Sequence, residues 1–418
     1  MRASIQSATR ITVAGYLPFI GRQWPLLGFG FFTVFWGNLG QSFFLSWYGA
    51  DIQQTLSLSA SRYGGIYALA TVASGSCIML LGGLLDKWRI GFVATLIAVT
   101  LMAACVSLSF ADSVPALAVG FFLIRLSGQG LMPLTAQTAM ARSFNENRGK
   151  AISIALSGVP AGEVIMPALA VSLIALFGWR ESWLIWALSI PLLYLPLTYW
   201  FLHCSKTSSK EERISTDHSS SGKSAGRLEV LKDWRFWATL PAVLSGPFML
   251  TGIFIQQGFI LAQKDWSPSW LAGSFVAYGI LHWLSSMLSG VLVDSFSAKR
   301  LLPYIMLPLF LSLISLACLD GLWVAPLFMS FLGISIGMMN TVISALWSEV
   351  YGTAKQGAIR SMMMSLMVLA SSVSPWLFGL LIDAGVDSFG LFIGSAIAVL
   401  LAGLLVLPAY SPIGFGRK

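Results

Sequence analysis

The sequence predicts an all-α membrane protein: twelve transmembrane helices in two six-helix bundles related by pseudo-twofold symmetry. Three observations carry this. Of 418 residues, 56% are apolar and only 10% charged, and the mean hydropathy is +0.78, whereas soluble domains carry roughly 25% charged residues. Apolar runs of about 20 residues, the length that crosses a bilayer, recur along the whole chain. A single long polar stretch, residues 203–235, divides those runs six and six.

Residues 1–24 carry Arg2, Arg10 and Arg22 and read as a cytoplasmic leader. Their apolar part is short, contains Pro18 and leads into another apolar run, which is unlike a cleaved signal. The first bundle is expected over residues 25–202, with spans at 25–49, 63–85, 92–111, 115–140, 151–177 and 182–202. Residues 203–235 hold seven of the 25 Lys and Arg among serines and glycines. Such a composition cannot bury enough apolar surface to offset the entropy of ordering, so the stretch reads as a linker. The second bundle follows over 236–409, with spans at 236–262, 270–293, 301–319, 323–347, 359–382 and 388–407, and residues 410–418 form a tail.

Charge fixes the expected orientation. If the leader is inside, the inner segments hold 21 of the Lys and Arg, and the outer ones hold only Arg62, Arg180 and Lys264. The positive-inside bias then makes both termini and the linker cytoplasmic in a multi-pass protein of the plasma (inner) membrane. The net charge of +8 lies in short clusters between apolar runs, not on one solvated face, so nucleic acid is not an expected partner. Cys77, Cys105, Cys204 and Cys318 lack ligand spacing, and neither metal, disulfide nor cofactor is expected. Trp24, Trp47, Trp179, Trp183, Trp200 and Trp270 fall near span ends, as interfacial anchors do.

Sliding the chain by 208 positions lays Gly82 on Gly290, Leu84 on Leu292, Asp86 on Asp294, Gly149 on Gly357, Ser153 on Ser361 and Pro167 on Pro375. One ungapped offset that aligns equivalent loops argues for a duplicated unit. Gly82, Leu84, Asp86 and Lys87, between the second and third spans, resemble the G-x-L-x-D-[RK] signature of the major facilitator superfamily. The second half keeps Gly290, Leu292 and Asp294, followed by Lys299 and Arg300. Unlike the usual signature, Trp88, Arg89 and Ile90 intervene before Gly91. Arg125, Gln129 and Gly130 look like a stretched form of the family's second signature. Gly158, Pro160 and Gly162 resemble its antiporter signature, but Glu163 stands where a proline is usual.

The resemblance implies a secondary transporter working by alternating access, with Asp86, Lys87 and Asp294 as gating residues. It also implies a cavity lined by the first, fourth, seventh and tenth spans. The substrate-binding candidates are then Asn38, Gln41, Arg125, Gln129, Gln257 and Asn340. Ser42, Thr251, Gln256, Thr341 and Ser344 are further polar residues of those spans. Arg125 sits mid-span, where an unpaired guanidinium costs at least about 2.5–3.5 kcal/mol. Glu163, at similar depth in the adjacent span, is its expected partner. Glu163 and His282 are the proton-coupling candidates, since histidine titrates near pH 6.5.

The expected function is proton-coupled symport of a small organic anion by a monomer, with solute, protons and lipid as its partners. The alternatives are proton-coupled efflux of apolar or cationic compounds and, in a different class, a membrane receptor or assembly partner that does not transport. No phosphate-binding loop or nucleophile paired with a base points to an enzyme.

Overall fold

The computed structural model describes residues 16–85, 88–144, 147–208, 230–351 and 356–410. The described residues form helices joined by short turns, and α1 (Tyr16–Gly37), α2 (Ala60–Leu85), α3 (Ile90–Ser109), α4 (Val114–Ser143), α5 (Arg148–Phe177) and α6 (Trp179–Ser205) form one bundle. The second comprises α7 (Trp234–Ile255), α8 (Pro268–Phe296), α9 (Ala298–Cys318), α10 (Val324–Tyr351), α11 (Gln356–Asp383) and α12 (Ser388–Tyr410). Eleven of them are long and apolar enough to cross a membrane; α1, which carries Arg22, Gln23 and Pro25, is outside that set. Large apolar side chains such as Leu69, Leu80 and Leu176 are about three-quarters exposed on the outside of the bundles, a surface suited to lipid and costly in water.

The helix α1 begins inside the segment expected to be a leader; Pro18 is tolerated there because first-turn N–H groups have no intrahelical acceptor. Helical structure after α6 continues to Ser208, inside the expected linker. The stretch 209–229, Asp86 and Lys87 lie outside the described residues.

Several helices are interrupted. After Gly37, α1 tightens into a 3-10 turn, Asn38–Gly40, and Gln41 is extended (φ −80°, ψ 151°) before helical turns resume through Thr55. Within α4, Arg125–Leu131 widens into a π-turn just before Pro133, whose ring and missing N–H displace the preceding turn. The helix α7 ends at Gln256 (φ −97°, ψ 21°), and a new helix, Gln257–Lys264, begins.

The ends of the helices nearest 209–229 are the linker end of the molecule, and the opposite ends are the far end. The halves meet along two seams. In the first, α2 packs on α11 so closely that a Cβ on Gly64 would lie 2.2 Å from the Pro375 carbonyl oxygen, and one on Gly379 would lie 2.4 Å from that of Ala60. At the far end Asp383 accepts the N–H groups of Ala60 (3.1 Å) and Ser61 (2.9 Å). A carboxylate of one half thereby satisfies donors that the first turn of a helix in the other half leaves open. Gln256, at the end of α7, donates to the carbonyls of Ala60 and Pro375, both at 3.0 Å. The second seam, α5 on α8, brings Gly279 against Val164 and the Pro160 carbonyl.

Candidate functional site

Between the seams lies a cavity of about 220 Å³ whose wall includes Gln41, Ser42, Glu163, Tyr278, His282 and Asn340. Its remaining lining is apolar and comes mainly from α7 and α10 with Phe43 and Val159; among the described residues, Arg and Lys do not line it. On its far-end side stand buried rings from both halves. Phe275 of α8 lies 6.1 Å from Phe43, 5.6 Å from Trp47 and 5.4 Å from Phe254 between ring centroids, within the range of attractive aromatic contact.

The chemistry is concentrated at one pair. Glu163 of α5 and His282 of α8 approach to 2.7 Å (Oε2 to Nδ1), both buried, and they bridge the two halves. Tyr278, one turn before His282 on the same face, lines the cavity beside the pair. The imidazole side chain is 11% exposed and the carboxylate 5%, so the imidazole is the more open member of the pair. In a low-dielectric wall such a pair holds only while both members are charged or share a proton, and removing one leaves the other uncompensated.

The expected Arg125–Glu163 partnership is therefore corrected. The guanidinium, 1% exposed, donates from Nη1 to the Gly40 carbonyl at 3.0 Å and stands 5.0 Å from the centre of the Tyr67 ring. The interrupted turn of α1 supplies a carbonyl that an intact helix would have used internally, and Arg125 takes it. Gly128 and Gly40 allow this approach: a Cβ on Gly128 would lie 2.7 Å from the Gly40 nitrogen. On its other side the turn is held by Asn38, whose Nδ2 donates to the Gly158 carbonyl of α5 at 2.9 Å. Asn38 and Arg125 thus hold the break in α1 in place, and Gln41 beside it lines the cavity.

Among the other sequence candidates, Asn340 lines the cavity, and Gln129, Arg125, Asn38 and Gln257 do not. Gln129 is half-buried with its backbone against Gly40. Gln257 is buried between the halves, accepting from the Ser46 hydroxyl at 3.2 Å, because the helix break at Gln256 rotates it out of the register of α7. Asp294 is exposed in the last turn of α8 at the linker end. Sequence reasoning did not find Tyr278, although its spacing of four from His282 could have pointed to it. It also missed Asp383 and the glycine contacts of the first seam.

Two six-helix bundles around a central cavity are the build of a membrane transporter. The family description "Major Facilitator Superfamily" matches residues 27–375, and the chain belongs to that family. Among solved structures it is similar to a bacterial homologue of the human lysosomal transporter Spinster in two inward-facing forms. The occupied form aligns with a TM-score of 0.70 at 13% identity over 94% of this chain and 97% of that one. The unoccupied form gives 0.65 at 14% identity over 93% and 95%. At such identities the likeness is one of fold. Comparison with curated proteins gives no match.

Proposed function

We propose that the protein is a proton-coupled symporter that moves a small organic anion, with its linker end in the cytoplasm of a cell whose plasma membrane it spans. The observation that carries this reading is the 2.7 Å contact between Glu163 and His282, because it joins the two halves at the wall of the solute cavity. A proton arriving on Glu163 removes the attraction that holds α5 to α8. The imidazolium of His282 then faces the cavity without its counter-ion and can accept the solute's negative charge in its place. One proton and one anion thus enter as a neutral load, and after both have left the pair reforms. The charged groups at this point are Glu163 on α5 and His282 on α8, with the Tyr278 hydroxyl beside them; the α1, α7 and α10 walls contribute Gln41, Ser42, Asn340 and apolar side chains. Arg125, a substrate-binding candidate from sequence, keeps a scaffolding place in this reading, and His282 supplies the counter-charge. With the linker end inside, the ring cluster of the far end faces outward.

The rival reading is efflux of apolar or cationic compounds, favoured by the apolar remainder of the wall, with Glu163 holding the cation. Proteoliposomes enclosing a pH-sensitive dye and offered benzoate separate the two. Symport requires acidification of the lumen together with benzoate uptake, and both are lost in Glu163→Gln. Uptake that keeps its full pH dependence in Glu163→Gln would remove the proton role of the pair.

A further inference from the structure

The cavity does not end at the ionisable pair. A groove of about 200 Å³ between α10 and α11 continues it toward the linker end, sharing Met339, Asn340, Ile343 and Met367 with the central cavity and adding Ser344, Trp347, Met363 and Met364. The joined space is polarised along its length. Glu163, His282 and Gln41 stand at one end; the other is formed by four thioethers, an indole and an isoleucine. Of the two polar groups along the groove, the Ser344 hydroxyl donates back to the Asn340 carbonyl at 2.8 Å, which leaves the Asn340 amide as the main side chain with free hydrogen-bonding capacity. Methionine side chains are unbranched and polarizable, and they adapt to apolar and aromatic shapes without fixed directional demands.

We infer that the groove between α10 and α11 is a subsite for the apolar body of the transported solute, which is therefore a small amphiphile: a monocarboxylic acid with an alkyl or aryl body. The identification of the head group rests on the symport reading above; the apolar body rests on the groove. A sugar would leave most of its hydroxyls unpaired against methionine, and unpaired buried hydroxyls are costly. A phosphate ester brings two negative charges, and among the described residues the one basic group on the cavity wall is an imidazole. A two- or three-carbon hydroxy acid would fill the head end and leave the groove empty.

The test measures dissociation constants of the purified full chain in lipid nanodiscs for straight-chain acids from acetate to octanoate at pH 5.5 and 7.5, with protein-free discs as the partition control. Each added methylene that enters the groove is expected to tighten binding about fourfold, and glucose and glucose 6-phosphate are expected not to bind. Met364→Gln, at an exposed position of the groove, should flatten the dependence for the longer acids and leave acetate unchanged; Met363→Gln, at a buried position that lines the groove alone, should do so more strongly. Affinity that does not rise with chain length, or equal tightening in both variants and the parent, overturns the subsite. Affinities that rise with chain length but are equal at the two pH values support the subsite and remove the proton coupling of the head group. A flat but pH-dependent series does the reverse.

Discussion

The two seams that join the halves are built from different materials. Along α2 and α11 the contact is backbone on backbone: Gly64 and Gly379 admit carbonyls where any side chain would collide, and Asp383 and Gln256 bond to main-chain groups of the opposite half. Along α5 and α8 the closest polar contact is between two titratable side chains. The first seam is specified by shape and, among the described residues, has no group that changes charge near neutral pH. The second has a strength that depends on a proton. A transporter that must open and close needs contacts that break at modest cost, and it can be instructed only through a contact that responds to its ligand.

Four changes would break or sharpen this contrast. Gly64→Val should have the largest effect, since its new side chain meets the Pro375 backbone and α2 must move off α11. Uptake in proteoliposomes is expected to fall more than tenfold, and spin labels on the far ends of α2 and α11 should report a longer distance. Next is the ionisable pair. Glu163→Leu leaves a buried imidazole without a partner, with a loss on the order of 3 kcal/mol by analogy with broken buried pairs, and adding His282→Leu should restore much of the melting temperature. If the two losses simply add, the contact is not energetically coupled. A smaller shift follows from Asp383→Ala, which removes a cap worth about 1 kcal/mol. The far end should open about fivefold more often, read from labelling of a cysteine placed at Ser61, while the pH profile of uptake stays that of the parent. Smallest is Gln41→Ala on the cavity wall. One lost hydrogen bond to solute corresponds to about 1 kcal/mol, hence roughly a fivefold higher KM with the melting temperature unchanged.

Much of the fold was legible because a membrane helix announces itself by length and apolar composition, and because loop charges mark its ends. The two ionisable groups Glu163 and His282 stood out for the same reason: in an apolar span each is conspicuous. Their partnership was not legible. Sequence favours neighbours, and α4 and α5 are neighbours, so Arg125 was assigned to Glu163; the contact that forms runs between α5 and α8, in different halves. Arg125 found a backbone partner, and that partner exists only because α1 is broken. The local clue was Gly37-Asn38-Leu39-Gly40, two glycines around an asparagine within an apolar run, a pattern that weakens a helix. The misplacement of Gln257 has a similar cause, since counting helical faces through Gln256 assumes a continuity that α7 does not have.

Both walls of the methionine groove belong to the second half of the chain, and this has a consequence for turnover. When the halves rock as rigid pieces, a pocket with walls on both is taken apart, but a recess carved into one travels intact, like a berth on a moving ship. Passenger hold and release are thereby divided: the recess grips equally at departure and arrival, and the decision to disembark falls to the groups contributed from the opposite bank.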